Sequence, residues 1–277
     1  MFFKKTLPFC ILASFLVMTT SASALELKFK GKSNQLIEQS KLIQNKNASG
    51  ITIFEPHRDE LVTYVGLPFN QLMDDVFGEK WHREEEILFT CIDGYQPSIP
   101  VSKFKRFKAW IVWARKDGKP FEIVNTLQAS EKVDLGPLYL VWDNQKEQEL
   151  LEGGASDFPY QIASIDLISF KDKFPKLAPP VGSSADVTEG FLLYRKYCMT
   201  CHAIDGEGGQ KAPDLKLTNA MARIPLKELR RWILSPDKVK PGTKMPPFAP
   251  KLPNREKAVD PLINYLKVIL APGNKPR

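Results

Sequence analysis

The chain has 277 residues, of which 43% are hydrophobic and 26% are charged, and it carries 39 basic and 32 acidic side chains. This composition excludes a disordered chain, a collagen and a polytopic membrane protein, and four cysteines are too few for a disulfide scaffold. The length predicts two domains rather than one.

Residues 1–24 have the pattern of a cleaved signal peptide. The basic pair Lys4-Lys5 precedes the apolar run 7–18, and Ala22-Ser23-Ala24 supplies a small-residue cleavage site. The run is short for a membrane span, although an uncleaved N-terminal anchor is the alternative. We therefore expect export to the periplasm and a mature chain that begins near Leu25 and is soluble.

Residues 25–173 are predicted to form a mixed α+β domain. Apolar side chains between Phe69 and Phe77 recur at helical spacing, with Pro68 at the start and Gly78 at the end. Runs rich in Ile, Val, Trp and Tyr that are bounded by turn residues predict strands at 87–92, 109–114, 139–142 and 162–170. The pattern indicates a sheet with at least one packed helix.

The stretch 174–186 is rich in Pro, Gly and Ser and is predicted to be a linker. When the chain is divided near this stretch, its two parts carry net charges of opposite sign. Residues 25–179 carry 20 basic and 23 acidic side chains, a net charge of −3, whereas residues 180–277 carry 17 and 9, a net charge of +8. The segment 187–277 is therefore a small basic domain.

This second domain is predicted to be helical, with loops stiffened by proline. One helix is expected over 188–197. Another begins after Pro225 and ends before Pro236, and the last covers 259–270 and is stopped by Pro272.

The helix over 188–197 leads into Cys198-Met199-Thr200-Cys201-His202, a sequence typical of covalent haem c attachment. Two thiols at this spacing reach the two vinyl groups on one edge of the porphyrin, and the adjacent imidazole is an iron ligand. The alternatives are a redox dithiol, a zinc half-site and a structural disulfide. The first lacks its usual βαβ context, and the second lacks further Cys or His ligands in this domain.

Residues 185–271 resemble class I cytochrome c domains in four short segments. Glu189-Gly190-Phe191 with Tyr194 is similar to the family's N-terminal helix, and Asn264-Tyr265-Leu266 to the last helix against which it packs. Ala212-Pro213-Asp214-Leu215 resembles the loop whose proline carbonyl accepts the Nδ1–H of the proximal histidine, here Pro213 and His202. Lys244-Met245-Pro246-Pro247 resembles the loop of the distal methionine. The resemblance implies a monohaem fold with His202 and Met245 as axial ligands.

Two other methionines compete with Met245 for the distal position. Met199 is tied to the proximal edge because it lies inside the attachment motif, and Met221 lacks a proline-stiffened loop around it. A methionine outside such a loop is more often a core residue than a ligand.

Lysines of the second domain flank the motifs that are expected to surround the haem edge. They are either an ordinary solvated face or a docking surface for a redox protein with an acidic face. We predict the docking surface, and we do not expect nucleic acid as a partner. The lysines are Lys196, Lys211, Lys216, Lys238, Lys240, Lys244 and Lys251.

Turn motifs within 55–170 resemble the molybdopterin-binding fold of sulfite-oxidase-like oxidoreductases. The motifs include Cys91-Ile92-Asp93-Gly94-Tyr95, which follows a predicted strand, and the family uses a strand-end cysteine as a molybdenum ligand. Cys91 is therefore either a buried core residue or a molybdenum ligand. The segment is short for that family and has no cluster of Arg and His for a pterin phosphate. We expect a vestigial fold without molybdopterin.

The sequence predicts a periplasmic monohaem cytochrome that passes single electrons between redox partners and has no catalytic residue of its own. One alternative is an oxidoreductase, either with haem and molybdenum together or as the haem subunit of a periplasmic dehydrogenase complex. Another is a haem sensor or assembly factor in which Met245 is displaced by a gas.

Overall fold

The computed structural model describes residues 24–219 and 223–271. The predicted signal peptide lies outside these residues except for Ala24, which begins the first strand. Pro272 and the competing Met221 also lie outside them. Within the two described ranges, no helix is both long enough and apolar enough to cross a membrane.

The N-terminal part is built on β-sheets. One sheet has the strand order β2-β1-β11-β5-β6, another has β10-β7-β4-β3, and β8 and β9 form a separate pair. In the described residues the strands are β1 (Ala24–Phe29), β2 (Lys32–Glu38), β3 (Ser49–Glu55), β4 (Glu60–Pro68), β5 (Glu86–Cys91), β6 (Ser98–Pro100), β7 (Ala109–Arg115), β8 (Glu122–Asn125), β9 (Glu131–Asp134), β10 (Tyr139–Trp142) and β11 (Ile162–Ile168).

The strand order places the first and the last strand of the N-terminal part side by side. β1 pairs in parallel with β11, so that Glu26 lies opposite Ser164, whereas β11 pairs antiparallel with β5. The first and last strands are therefore neighbours in one sheet.

Short helices connect the strands, and longer helices dominate the C-terminal part. The α-helices are α1 (Gln39–Ile43), α2 (Phe69–Phe77), α3 (Val101–Arg106), α4 (Gln148–Gly153), α5 (Phe170–Lys173), α6 (Ala185–Tyr197), α7 (Leu226–Leu234), α8 (Pro236–Val239) and α9 (Arg255–Ile269). Short 3-10 turns cover Gly78–Arg83 and Pro175–Leu177.

The predicted elements are present. Helix α2 buries Phe69, Leu72 and Met73 against the sheets and ends at Gly78, whose φ of 58° is easier for glycine than for other residues. The predicted strands appear as β5, β7, β10 and β11, although β11 ends at Ile168 because Phe170 begins α5. The predicted C-terminal helices appear as α6, α7 and α9, and α6 and α9 begin three and four residues earlier than predicted. The fold class is confirmed: a mixed sheet domain is followed by a helical region.

An apolar cluster that is separate from the core of the sheets lies around α6 and α9, and it includes residues that precede the C-terminal part. Phe170, Phe174 and Leu177 are buried in it with Tyr194 and Tyr265. Tyr265 Oη donates to the carbonyl oxygen of Leu177 at 2.8 Å. The first residues of the predicted linker 174–186 are thus packed, and its last two, Ala185 and Asp186, begin α6.

Candidate haem site

The attachment motif is a tight turn at the end of α6. The N–H of Cys201 and the N–H of His202 both donate to the carbonyl oxygen of Cys198, at 3.1 and 2.8 Å. Cys198 and Cys201 are free thiols, so they do not form the disulfide considered above. The turn places both thiols and the imidazole within one short loop.

His202 is held in one orientation by Pro213. Its Nδ1 lies 2.8 Å from the Pro213 carbonyl oxygen, which can only accept a hydrogen bond. Nδ1 therefore carries the proton and Nε2 keeps its lone pair. Burial lowers the pKa of His202, which favours the neutral form that binds metals. Tyr194 supports the same residue by donating to its carbonyl oxygen at 2.7 Å.

Asp214 fixes the loop that carries Pro213. Its carboxylate accepts hydrogen bonds from the N–H groups of Gly206 and Lys216, each at 2.8 Å, and of Leu217 at 3.1 Å. Burial alone would raise the pKa of Asp214, but these donors lower it overall. The ionised side chain thus anchors the bend that presents the Pro213 carbonyl to His202.

Gly208 and Gly209, which were not predicted as site residues, allow the loop after His202 to fold back on the attachment motif. A Cβ at Gly209 would lie 2.1 Å from the carbonyl oxygen of Thr200, and one at Gly208 would lie 2.9 Å from that of His202. The N–H of Gly209 donates to the Met199 carbonyl oxygen at 2.8 Å. The sequence signal was available in Gly206-Glu207-Gly208-Gly209, since paired glycines mark close backbone approach.

Burial raises the pKa of Cys198 to about 12 and also raises that of Cys201. In residues 24–219 and 223–271 no group of three or more His, Cys, Asp and Glu side chains is placed to hold a metal ion.

The predicted distal residue Met245 lies in the irregular segment between α8 and α9. It is half-buried, and its N–H donates to Thr243 Oγ1 at 3.3 Å. Phe248, three residues later, packs edge-on against Tyr197, with ring centroids 5.2 Å apart. This contact brings the Met245 loop to the residue that precedes Cys198. The alternative Met199 is buried in the apolar cluster beside α6.

The site has what haem c requires: two unpaired thiols, a histidine with a free Nε2, and glycines that keep the loop close. The family described as cytochrome C oxidase, cbb3-type, subunit III matches residues 185–266. These residues are a cytochrome c domain. Such a domain implies covalent haem c, electron transfer and redox protein partners. A comparison with curated proteins finds no match to the chain.

The family match does not extend to the N-terminal fold, and the structure gives Cys91 a different setting from an open metal site. Cys91 is 3% exposed at the end of β5, and burial raises the pKa of its thiol well above the usual range. The turn after it contacts the cytochrome domain, since Gln96 N–H donates to the Thr200 carbonyl oxygen at 2.7 Å. The assignment of Cys91 as a molybdenum ligand stays an untested alternative.

The lysines of the predicted docking surface have different surroundings. Lys211, Lys244 and Lys251 form ion pairs with acidic residues of the N-terminal part. Lys216 pairs with Asp205 of its own domain. Among the described residues, Lys238 and Lys240 are exposed and form no ion pair.

Proposed function

We propose that the protein is a periplasmic monohaem c-type cytochrome that carries single electrons between redox proteins. The observation that supports this best is the bond from His202 Nδ1 to the Pro213 carbonyl oxygen, next to the free thiols of Cys198 and Cys201. Haem c, when bound, supplies one-electron exchange between ferric and ferrous iron. The proposed periplasmic location agrees with the signal-like residues 1–24 and with the typical extracytoplasmic location of c-type cytochromes.

Each residue of the site has a separate task in this proposal. Cys198 and Cys201 would hold the haem through thioethers, and His202 Nε2 and the Met245 sulfur would bind its iron. Pro213 keeps the His202 ring in one orientation and one tautomer. A thioether ligand raises the reduction potential, which suits a carrier that accepts electrons from weak reductants. If both side chains bind the iron, the haem would exchange electrons rather than bind a substrate.

Covalent attachment is tested by replacing both thiols. The Cys198→Ala/Cys201→Ala variant, produced with its export signal, is expected to lose all haem stain after denaturing electrophoresis, and each single variant is expected to keep one thioether. Cys91→Ala is the matched control and is expected to keep full staining. Stain that persists in the double variant contradicts the proposal.

A metal assay separates the carrier from the molybdenum oxidoreductase. We expect about one iron per chain and no molybdenum, because a single motif of this type attaches a single haem. Molybdenum near one equivalent per chain would favour the enzyme.

A further inference from the structure

The N-terminal part contacts the cytochrome domain at two segments that, as proposed above, would hold haem. On the attachment side, the turn after β5 meets the segment that carries Cys201. On the other side, two hairpin tips meet the segment that carries Met245. Both segments carry residues that, as proposed above, would hold haem, so the N-terminal part contacts the cytochrome domain next to the proposed site at two places.

The attachment-side contacts are extensive and mostly shielded from solvent. The Gly94 carbonyl oxygen accepts from the N–H of Gln210 at 2.9 Å, and Gln96 N–H donates to the Thr200 carbonyl oxygen. Lys211 Nζ lies 2.6 Å from Asp93, with both side chains about three-quarters buried. Arg195 of α6 pairs with Glu86 of β5, which is buried. Main-chain bonds and shielded ion pairs make this side the fixed one.

The contacts on the distal side are ion pairs between side chains that are largely exposed to solvent. Lys244 Nζ lies 2.5 Å from Glu131, and Lys251 Nζ lies 2.5 Å from Asp59. Side-chain exposures are 66% and 37% in the first pair, and 36% and 67% in the second. Exposed pairs of this kind contribute about 0–1 kcal/mol each and are screened by salt.

Both acidic residues lie at or next to hairpin turns of the N-terminal part. Asp59 lies in the turn between β3 and β4 and has a φ of 54°. Glu131 begins β9, which pairs only with β8 in the described residues. The hairpin is not isolated, because Ile123 of β8 is buried in the core and Thr126 Oγ1 donates to the His57 carbonyl oxygen at 2.8 Å. The two tips therefore form one edge of the N-terminal part, and exposed ion pairs hold this edge to the cytochrome domain while main-chain bonds hold the attachment side.

We propose that the N-terminal part is a cover over the basic face of the cytochrome domain, hinged on the attachment side and released on the distal side. The ligand that releases it is a redox protein with surface carboxylates, which competes with Asp59 and Glu131 for Lys251 and Lys244. The net charges of −3 and +8 in the two parts favour closure, and exposed Lys238 and Lys240 offer the incoming protein a first contact. This inference rests on the proposed function for the identity of the partner.

The test compares two doubly neutralised variants of the full haem-loaded chain. Asp59→Asn/Glu131→Gln removes the distal-side pairs, and Glu79→Gln/Glu147→Gln removes the same charge from exposed positions elsewhere. Amide hydrogen exchange is followed in residues 57–60 and 126–134. We expect exchange there to rise with salt in the parent chain and to be several-fold faster at low salt in the first variant alone.

A charge swap distinguishes attraction between Asp59 and Lys251 from an effect of the substitution on the local structure of the turn. Asp59→Lys is expected to show fast exchange in residues 57–60, and Asp59→Lys/Lys251→Asp to restore slow exchange. Oxidation of the reduced protein by hexacyanoferrate(III), an anionic probe, is expected to be several-fold faster in Asp59→Asn/Glu131→Gln than in the matched control.

The outcomes distinguish the cover from the proposed function. Exchange that responds neither to salt nor to neutralisation overturns the cover, even if haem is attached. Loss of covalent haem stain overturns the proposed function, whereas hydrogen exchange in the apoprotein still reports on the cover. Equal hexacyanoferrate(III) rates in the two neutralised variants overturn the claim that the cover controls access to the haem.

Discussion

Gly190 of α6 and Pro261 of α9 approach so closely that a Cβ on Gly190 would lie 2.0 Å from the Pro261 carbonyl oxygen. The same Cβ would lie 2.8 Å from the Cβ of Tyr265. The two helices that frame the attachment turn thus cross at a point where only glycine fits. Phe191 and Tyr194 pack on Tyr265 beside it, with ring centroids 5.6 and 5.3 Å apart.

Gly190→Ala is expected to destabilise the cytochrome domain by about 1–3 kcal/mol, because the helices must separate to admit the methyl group. Denaturant unfolding followed by haem absorbance measures the change. Glu189→Ala, at an exposed position of the same helix, is the control and is expected to shift the free energy of unfolding by less than about 0.5 kcal/mol. Equal effects of the two substitutions would contradict the close crossing.

Met245→Ala is expected to abolish the weak far-red charge-transfer band of the ferric protein, to lower the reduction potential and to admit exogenous ligands. Absorption spectroscopy, a redox titration and carbon monoxide binding measure these effects. Met221→Ala is the control, and we expect it to leave all three nearly unchanged. The opposite result would assign the ligand to Met221, and an intact band in both variants would exclude both methionines.

A buried carboxylate in the sheet domain gives stability a defined pH dependence. Glu55 is fully buried and accepts hydrogen bonds from Tyr64 Oη at 2.8 Å and Tyr139 Oη at 3.1 Å, with His57 Nδ1 at 2.7 Å. Burial raises the pKa of Glu55, but the hydrogen bonds from His57 and Tyr64 lower it overall, below its usual value of about 4.3. The stabilisation is therefore full above about pH 4.3 and is lost as the pH falls through the folded-state pKa.

Glu55→Gln is expected to cost about 1–3 kcal/mol at neutral pH, because the buried donors lose an ionised acceptor. The difference from the parent chain is expected to shrink as the pH falls below about 4. Urea unfolding at a series of pH values measures it, with the exposed Glu79→Gln as control. A difference that stays constant down to pH 3 would mean that the carboxylate gains nothing from ionisation in the folded state.

The apolar residues before α6 predict how the cytochrome domain behaves alone. Both fragments 168–277 and 180–277 are expected to attach haem, and the longer one to be more stable because Phe170, Phe174 and Leu177 are buried against the domain. Burial of one such side chain contributes about 1.5–3 kcal/mol. Chemical unfolding of the two fragments measures the difference. Equal stabilities would place the boundary at 180, and failure of the shorter fragment to fold would place it before Phe170.

Much of the fold could be predicted because its patterns are local. The apolar spacing from Phe69 to Phe77 and the terminal Gly78 identified α2, and Cys198 to His202 identified the attachment turn. Strands β3 and β4 were missed because they join through the charged turn from Glu55 to Glu60, and one partner of the buried Glu55, Tyr139, lies on the distant strand β10. A buried carboxylate at a strand end looks like a loop residue until those partners are in place.

The surroundings of the lysines could not be predicted from the sequence. Lys211 and Asp93 are 118 positions apart, and only the folded chain places the turn after β5 against the attachment segment. Net charge indicated that the second domain is basic, but it carried no information on which lysines have partners within the same molecule. Three of these lysines, Lys211, Lys244 and Lys251, are therefore paired within the molecule, which net charge alone could not indicate.

Because β1 pairs in parallel with β11, the first strand cannot complete its pairing until the last strand of the N-terminal part is present. The place of β1 between β2 and β11 is filled only after residues 162–168 are available, and these directly precede the helices of the cytochrome domain. Pairing across so long a loop is slow, because the chain must give up much freedom before the strands meet. The sheet is therefore completed by the last strand before the cytochrome domain, and a chain cut before residue 162 lacks the parallel partner of β1.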